Sequence, residues 1–166
     1  MKVIDYNGTG FWSVDQILSR YAQYVKKYQI HAPRDLSPLV HNEANKRWIY
    51  PVMDHVIEGI EAGDQACAEI GIEFIEEDQP FTFGRILKSN AARALRRMEL
   101  TEEQKDRIRK RVVEMLGRRY LPREYRQYAK LVRKIGLGSW ACRIEDQSDN
   151  PWAKHYYTYF KEHASH

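Results

Sequence analysis

Apolar residues recur along most of this chain at the three- and four-residue spacing that places them on one side of an α-helix. The first such stripe follows Ser13 and consists of Val14, Ile17, Leu18, Tyr21, Tyr24, Val25 and Tyr28. Ser13 and Gln16 form an S-x-x-Q capping box at its start. The segment is therefore predicted to be a helix with one buried face.

Comparable stripes predict helices along the rest of the chain. Their predicted starts are Ser37-Pro38, the caps Asp64, Thr82 and Thr101, the residues after Pro122, and Asn150-Pro151. Pro51 is expected either to kink the chain or to begin a new helix. Glycines that follow the stripes, such as Gly63 and Gly136, predict helix ends. No segment alternates apolar and polar residues between two turn signals, so no strand is predicted.

These patterns predict an all-α, multihelical fold of roughly seven or eight helices. Short connections favour antiparallel helical hairpins. At 166 residues the chain is expected to form a single domain over residues 1–166, whose last helix, residues 150–163, could lie at its periphery.

Composition narrows the classes of protein to which the chain can belong. It is 43% apolar and 30% charged, which is typical of a folded globular chain. No leader segment and no apolar run of ~20 residues occurs, so we expect a cytoplasmic protein without a membrane partner. Cys67 and Cys142 lie far apart and form no CxxC pair, which argues against a disulfide framework or a structural zinc site.

Charge is distributed unevenly along the chain. Residues 54–79 contain nine acidic residues and no Lys or Arg, whereas residues 85–134 contain seventeen basic and six acidic residues. Segregation of this kind favours a contact surface for an anionic partner. The alternative is that the acidic helix packs beside the basic helices and neutralises them within the molecule.

The candidate site for such a partner lies on the helices predicted after Thr101 and Pro122. Arg126, Lys130 and Arg133 share the i, i+4, i+7 spacing of one helical stripe, which suits a run of phosphates. The full candidate set is Lys105, Arg109, Arg119, Arg123, Arg126, Lys130 and Arg133. Tyr120, Tyr125 and Tyr128 could stack on bases, although the last two also belong to a predicted buried stripe.

The tyrosines of the first and last helices are a second candidate contact surface. Tyr21, Tyr24 and Tyr28 lie on one helix, and Tyr156, Tyr157 and Tyr159 on another. These side chains could cover a groove or a subunit contact, because a tyrosine ring packs while its hydroxyl stays hydrated. They could equally form the margins of the core.

No catalytic residue, metal site or cofactor is predicted. His55 and Glu58 have i, i+3 spacing, but the order is the reverse of the Glu-x-x-His of di-metal bundles and no second copy occurs. A nucleophile elbow, a P-loop and a dinucleotide-binding motif are all lacking from the sequence. The glycine-rich "GLGSW" at residues 136–140 follows a predicted helix and is interpreted as a helix stop.

A weak internal repeat relates two of the predicted helices. "LKSNAARAL" at 87–95 and "YRQYAKLVR" at 125–133 are offset by 38 residues, which aligns Ala91 with Ala129, and each follows a proline. The pattern resembles the second helix of HEAT-type repeats, over about residues 80–136. The second copy keeps only one alanine. The resemblance implies stacked helical hairpins that bind a partner along a groove, and it carries over no catalytic residue.

Together these features predict a non-catalytic binding or adaptor module that makes contact through the basic helices of residues 85–134. A protein partner is slightly favoured over nucleic acid because no recognised nucleic-acid motif occurs. The alternative is an enzyme on a helical scaffold, one that could act on nucleic acid.

Overall fold

The computed structural model of the protein describes residues 1–80 and 82–166. Within these ranges the α-helices are α1 (Val14–Lys27), α2 (Val52–Glu61), α3 (Gln65–Glu77), α4 (Gly84–Arg96), α5 (Glu102–Gly117), α6 (Tyr125–Ile135) and α7 (Pro151–His163). Two short 3-10 helices cover Gly10–Trp12 and Gly138–Arg143. The predicted multihelical, all-α fold is confirmed.

The helices form two layers, and successive helices along the chain alternate between them. α1, α3 and α5 pack side by side in one layer, and α2, α4 and α6 pack side by side in the other. α3 contacts both α2 and α4, α5 contacts α6, and α7 packs on α6 and α5 at the end of the stack. The core lies between the layers and includes the fully buried Phe74, Tyr125, Tyr128 and Phe160.

A glycine of α3 lies in close contact with α2. Gly71 of α3 lies against Ile60 of α2, and a Cβ at position 71 would sit 2.6 Å from Ile60 Cδ1. A side chain at this position would therefore require the end of the Ile60 side chain to move.

Helix starts were predicted well where a polar side chain caps the helix. The Asp64 side chain accepts hydrogen bonds from the backbone N–H groups of Ala66 and Cys67, at 2.8 and 3.1 Å. The Thr101–Gln104 capping box is present in both directions. The prediction of Thr82 as a cap was wrong, because α4 starts after Phe83, which has a φ of +62° and makes no capping hydrogen bond through its side chain.

The expectation that the chain contains no strand was also wrong. β1 (Lys2–Asp5), β2 (Val40–Glu43) and β3 (Lys46–Ile49) form a sheet with the order β1-β3-β2, in which β3 is parallel to β1 and antiparallel to β2. Most residues of these strands are exposed. An alternating pattern arises when one face of a sheet is buried, so a small, solvated sheet does not produce it.

The helix predicted to start at Ser37-Pro38 does not form. The backbone N–H of Tyr50 donates to the Leu39 carbonyl at 2.9 Å, which extends the β2–β3 hairpin into this segment. Asp35 Oδ1 accepts from the Ser37 N–H at 2.9 Å and forms a turn instead of a cap. In the described part of the chain, no helix combines the length and apolar composition needed to cross a membrane.

Candidate polyanion-binding surface

Several of the basic residues form ion pairs with acidic side chains of α3 or of the residue just after it. Arg107 of α5 contacts Glu69 at 2.7 Å and Glu76 at 2.5 Å. Lys88 of α4 is buried and contacts Asp78, just after α3, at 2.5 Å. The acidic segment therefore neutralises part of the basic segment inside the molecule, as the alternative interpretation of the charge pattern proposed.

The tyrosines of α1 belong to the same network. The hydroxyls of Tyr21, Tyr24 and Tyr28 donate to Asp64, Glu73 and Glu69, each at 2.6 Å. Burial and these carboxylates raise the pKa of each phenol, to about 12 for Tyr28. The tyrosines of α1 thus form the margin of the core between α1 and α3, one of the two roles considered from the sequence.

Arg109 has a structural role, unlike the role assigned to it from the sequence. Its side chain is largely buried, Nε donates to the Gly136 carbonyl at 2.7 Å, and Nη2 donates to the Ile135 carbonyl at 2.9 Å. A cation at the carboxyl end of a helix satisfies free carbonyls and interacts favourably with the helix dipole. Arg109 therefore caps α6 and is unavailable to a partner.

Two other members of the candidate set have acidic neighbours. Lys105 Nζ contacts Glu102 at 3.2 Å, one turn away on α5. Arg119 donates from Nη2 to both carboxylate oxygens of Asp149 at 2.9 Å, and its Nε donates to Gln147. Each of the two cations therefore has a carboxylate within ion-pairing distance.

The remaining four candidates form what we call the basic row: Arg123, Arg126, Lys130 and Arg133. They recur every three or four residues along α6 and the turn before it, so they lie on one side of that helix. Arg123, Arg126 and Arg133 are exposed and Lys130 is half-buried. The buried side of the helix is filled by Tyr125, Tyr128, Ala129, Leu131 and Val132. Across residues 1–80 and 82–166, no carboxylate lies within ion-pairing distance of any member of the row.

An aromatic row on α7 lies beside the basic row and consists of Trp152, Tyr156 and Tyr159. Asn150 caps α7 by accepting from the Ala153 N–H at 3.0 Å, and Pro151 occupies the first turn, so the start of the helix is well defined. Trp152 is 70% exposed. Tyr156 packs edge-on against Tyr125, with ring centroids 4.7 Å apart.

The two rows run in the same direction and are in contact. At the start of both helices, Arg123 and Arg126 line an open cleft of about 600 Å³ together with Trp152 and Tyr156. At the other end, Lys130 and Arg133 line a cleft of about 420 Å³ with Tyr159, and the Arg133 guanidinium carbon lies 5.9 Å from the Tyr159 ring centroid. A row of cations and a row of aromatic rings therefore lie side by side on one surface.

The sequence indicated the basic residues and the aromatic residues separately, without showing that they lie together. Tyr125 and Tyr128 were named as possible stacking residues, but both are buried and cannot reach a base. Tyr120 is exposed and donates from its hydroxyl to Asp78 at 2.5 Å. The spacing of Trp152, Tyr156 and Tyr159 was visible in the sequence, but nothing in it indicated that α7 lies next to α6.

The histidine singled out in the sequence lies away from this surface. His55 is half-buried on α2, with Nδ1 3.3 Å from the Leu36 carbonyl oxygen. The surface formed by α6 and α7 is therefore the candidate site, since it combines the four cations of the basic row with the aromatic row. Comparison with protein-family models, curated proteins and solved structures finds no match to this chain, so the surface is interpreted from its own geometry.

Proposed function

We propose that this protein is a non-catalytic binding module that binds nucleic acid through the basic row on α6. The observation that carries the proposal is the contrast between two groups of basic residues. Lys88, Arg107 and Arg109 are held by acidic side chains or carbonyl groups of the protein itself. The basic row lacks such partners within the described chain and faces solvent, so its charge is available to an external anion.

The regular spacing of the row favours a chain of phosphates over an acidic protein as the partner. The sequence alone slightly favoured a protein partner. α6 carries Arg126, Lys130, Arg133 and Lys134 and contains no Asp or Glu. Phosphates repeat along a nucleic acid and attract Arg and Lys irrespective of base sequence. Arginine and aromatic residues are also enriched in protein interfaces, so the discriminating feature is the regular run of positive charge and not the residue types.

The resemblance to HEAT-type repeats is retained as part of this proposal. It is supported by the side-by-side packing of α4 and α6, the two helices that the repeat relates. It is also supported by the common direction of the two helices. Arg85 at the start of α4 and Arg123 before α6 line one cleft. At the other end, Lys134 near the end of α6 donates to the carbonyl of Arg96 at the end of α4. A cytoplasmic location and the alternative of a helical enzyme remain predictions.

Charge reversal on the row tests the proposal. We expect the triple variant R126E/K130E/R133E to bind a fluorescein-labelled 20-nucleotide DNA at least about tenfold more weakly than the unaltered protein at 50 mM salt, because three phosphate contacts become repulsive. Fluorescence anisotropy with single-stranded and duplex DNA measures the effect. Circular dichroism checks that the variant remains folded.

The matched control is K26E/K27E/K46E, which changes net charge equally at exposed positions on α1 and β3. It should bind within about twofold of the unaltered protein at this salt concentration, since contacts at a specific surface outweigh distant charges. Equal losses in both triple variants would contradict the proposed surface. Absence of DNA binding by the unaltered protein at 50 mM salt would contradict the proposed function.

A further inference from the structure

We infer that the surface formed by α6 and α7 binds single-stranded nucleic acid in preference to duplex, with bases stacking on the aromatic row while phosphates contact the basic row. This inference rests on the proposed function and adds the class of ligand to it. The observation behind it is that the two rows are adjacent, and phosphate binding alone gives the aromatic row no role.

Trp152 is the principal stacking candidate. It is the most exposed of the large aromatic side chains on α7, at 70%, although aromatic rings of this size are usually at least half-buried in folded proteins. The Asn150 cap and Pro151 hold the first turn of α7, so the indole lies on a defined helix start instead of on a loop. An exposed indole that lines a cleft with arginines offers a flat surface on which a base can stack.

The core anchors the other two rings while one side of each stays accessible. Tyr156 contacts Tyr125 and lines the cleft shared with Arg126, and Tyr159 lines the cleft shared with Lys130. Burial raises the pKa of Tyr156, although the Arg126 charge opposes the shift, so the phenol stays neutral at physiological pH. A neutral ring does not repel the phosphates bound alongside it.

The relative position of the rows discriminates between nucleic-acid forms. Trp152 and Tyr156 lie next to Arg123 and Arg126, and Tyr159 lies next to Lys130 and Arg133, so each part of the surface pairs a cation with a ring. In a duplex the faces of the bases are covered by their neighbours, so they cannot stack on a protein ring, whereas the phosphates and the groove edges of the bases stay accessible. A single strand exposes both groups, and stacking on a ring does not depend on base identity.

The test compares the variant W152A on two probes, fluorescein-labelled dT15 and a 15-base-pair duplex. We expect W152A to weaken binding of dT15 by about tenfold, in the range measured for loss of one stacked base, and to leave binding of the duplex within about twofold. Addition of unlabelled dT15 should quench tryptophan emission of the unaltered protein by more than that of W152A. Because Trp152 is exposed, its replacement should leave the fold intact.

Two further variants sharpen the comparison. W152F keeps an aromatic face and should retain most of the affinity for dT15, whereas Y50A removes a partly exposed ring from the residue after β3 and should leave it unchanged. Equal effects of W152A on both probes, or dT15 binding without quenching, would overturn the single-strand inference and leave the proposed function standing. A different pair of results would instead identify an acidic protein as the partner. In that case, reversal of the basic row abolishes binding to both probes, and the unaltered protein binds polyglutamate as tightly as it binds dT15.

Discussion

Arg107 and Arg109 are two residues apart on α5 and contact two different neighbouring helices. Arg107 contacts Glu69 and Glu76 of α3, whereas Arg109 donates to the backbone carbonyls of Ile135 and Gly136 at the end of α6. Residues two positions apart on a helix point in different directions, so each reaches a different neighbouring helix. Neither guanidinium is free for a partner, although both lie in the most basic part of the sequence.

Glu69 is the buried centre of the network between α1, α3 and α5. Burial raises the pKa of its carboxyl group, but hydrogen bonds from Tyr28, Arg107 and Gln104 outweigh that effect and hold the pKa below its ordinary value of 4.5. A carboxyl group with a lowered pKa in the folded state stabilises the fold above its ordinary pKa, and this stabilisation is lost as the pH falls through the lower value.

The variant E69Q should therefore be less stable than the unaltered protein at pH 7, by about 2 kcal/mol, because Arg107 loses one of its two anionic partners. The difference should begin to shrink as the pH falls below about 4.5, where the carboxyl group of the unfolded chain takes up a proton, and should be lost as the pH falls through the lower pKa of the folded state. Urea unfolding at several pH values measures it. E61Q at an exposed position of α2 is the control and should show no comparable dependence, and a difference that grows on acidification would contradict the assignment.

Helix starts show how local sequence sets the bounds of an element. α5 begins where the Thr101 hydroxyl accepts from the Gln104 N–H at 3.2 Å and the Gln104 side chain accepts from the Thr101 N–H at 3.0 Å. Both groups would otherwise be among the unsatisfied donors of the first turn. The bonds involve residues three apart, so the sequence alone identifies them.

Replacement of Thr101 by Ala should lower the free energy of unfolding by about 1 kcal/mol, the usual effect of losing a capping side chain. T101S keeps the hydroxyl and should be close to the unaltered protein. Thermal and urea unfolding of both variants measure the effect. Equal destabilisation by Ala and Ser would show that the threonine methyl group, and not the cap, stabilises this end of α5.

Across the whole molecule, the binding surface results from how charges are distributed between the layers. The acidic residues of α3, and Asp78 just after it, contact Arg20, Arg107, Lys88 and tyrosines of the first helix within the molecule. α6 lies in the other layer and packs against α4, α5 and α7, so its outer side does not meet α3. The basic row consequently keeps its charge.

The number of available cations predicts the salt dependence of binding. Four contacts to the phosphates of a single strand give a slope of about −3 in log K against log salt, so affinity for dT15 should fall about 50-fold between 50 and 200 mM salt. Arg126→Ala should reduce the magnitude of the slope by about 0.7, the contribution of one contact. Titrations by anisotropy at four salt concentrations provide the slopes.

Lys105→Ala is the matched control for the slope. Lys105 belongs to the candidate set derived from the sequence, but it contacts Glu102 and lies on α5 instead of in the row. The slope should be unchanged in this variant. A reduction as large as that caused by Arg126→Ala would mean that the binding surface extends over α5 and that the charge of the row is not its defining feature.

Much of the architecture could be predicted from the sequence because its causes are local. The apolar spacing of each helix and the caps Ser13, Asp64, Thr101 and Asn150 involve residues within one or two turns of each other. The i, i+4, i+7 spacing of Arg126, Lys130 and Arg133 is local in the same way. The small sheet was missed because its exposed strands lack the alternation that burial of one face produces.

By itself the sequence determined where most helices begin and end, and which side of each is apolar. Only the tertiary structure decided which basic residues remain available to a partner, because their neutralising groups are distant in the chain: Arg107 meets Glu69 across 38 residues, and Arg119 meets Asp149 across 30. It also placed the aromatic row of α7 beside the basic row of α6. Contacts of this kind depend on how layers pack, and helical periodicity contains no information about which helices become neighbours.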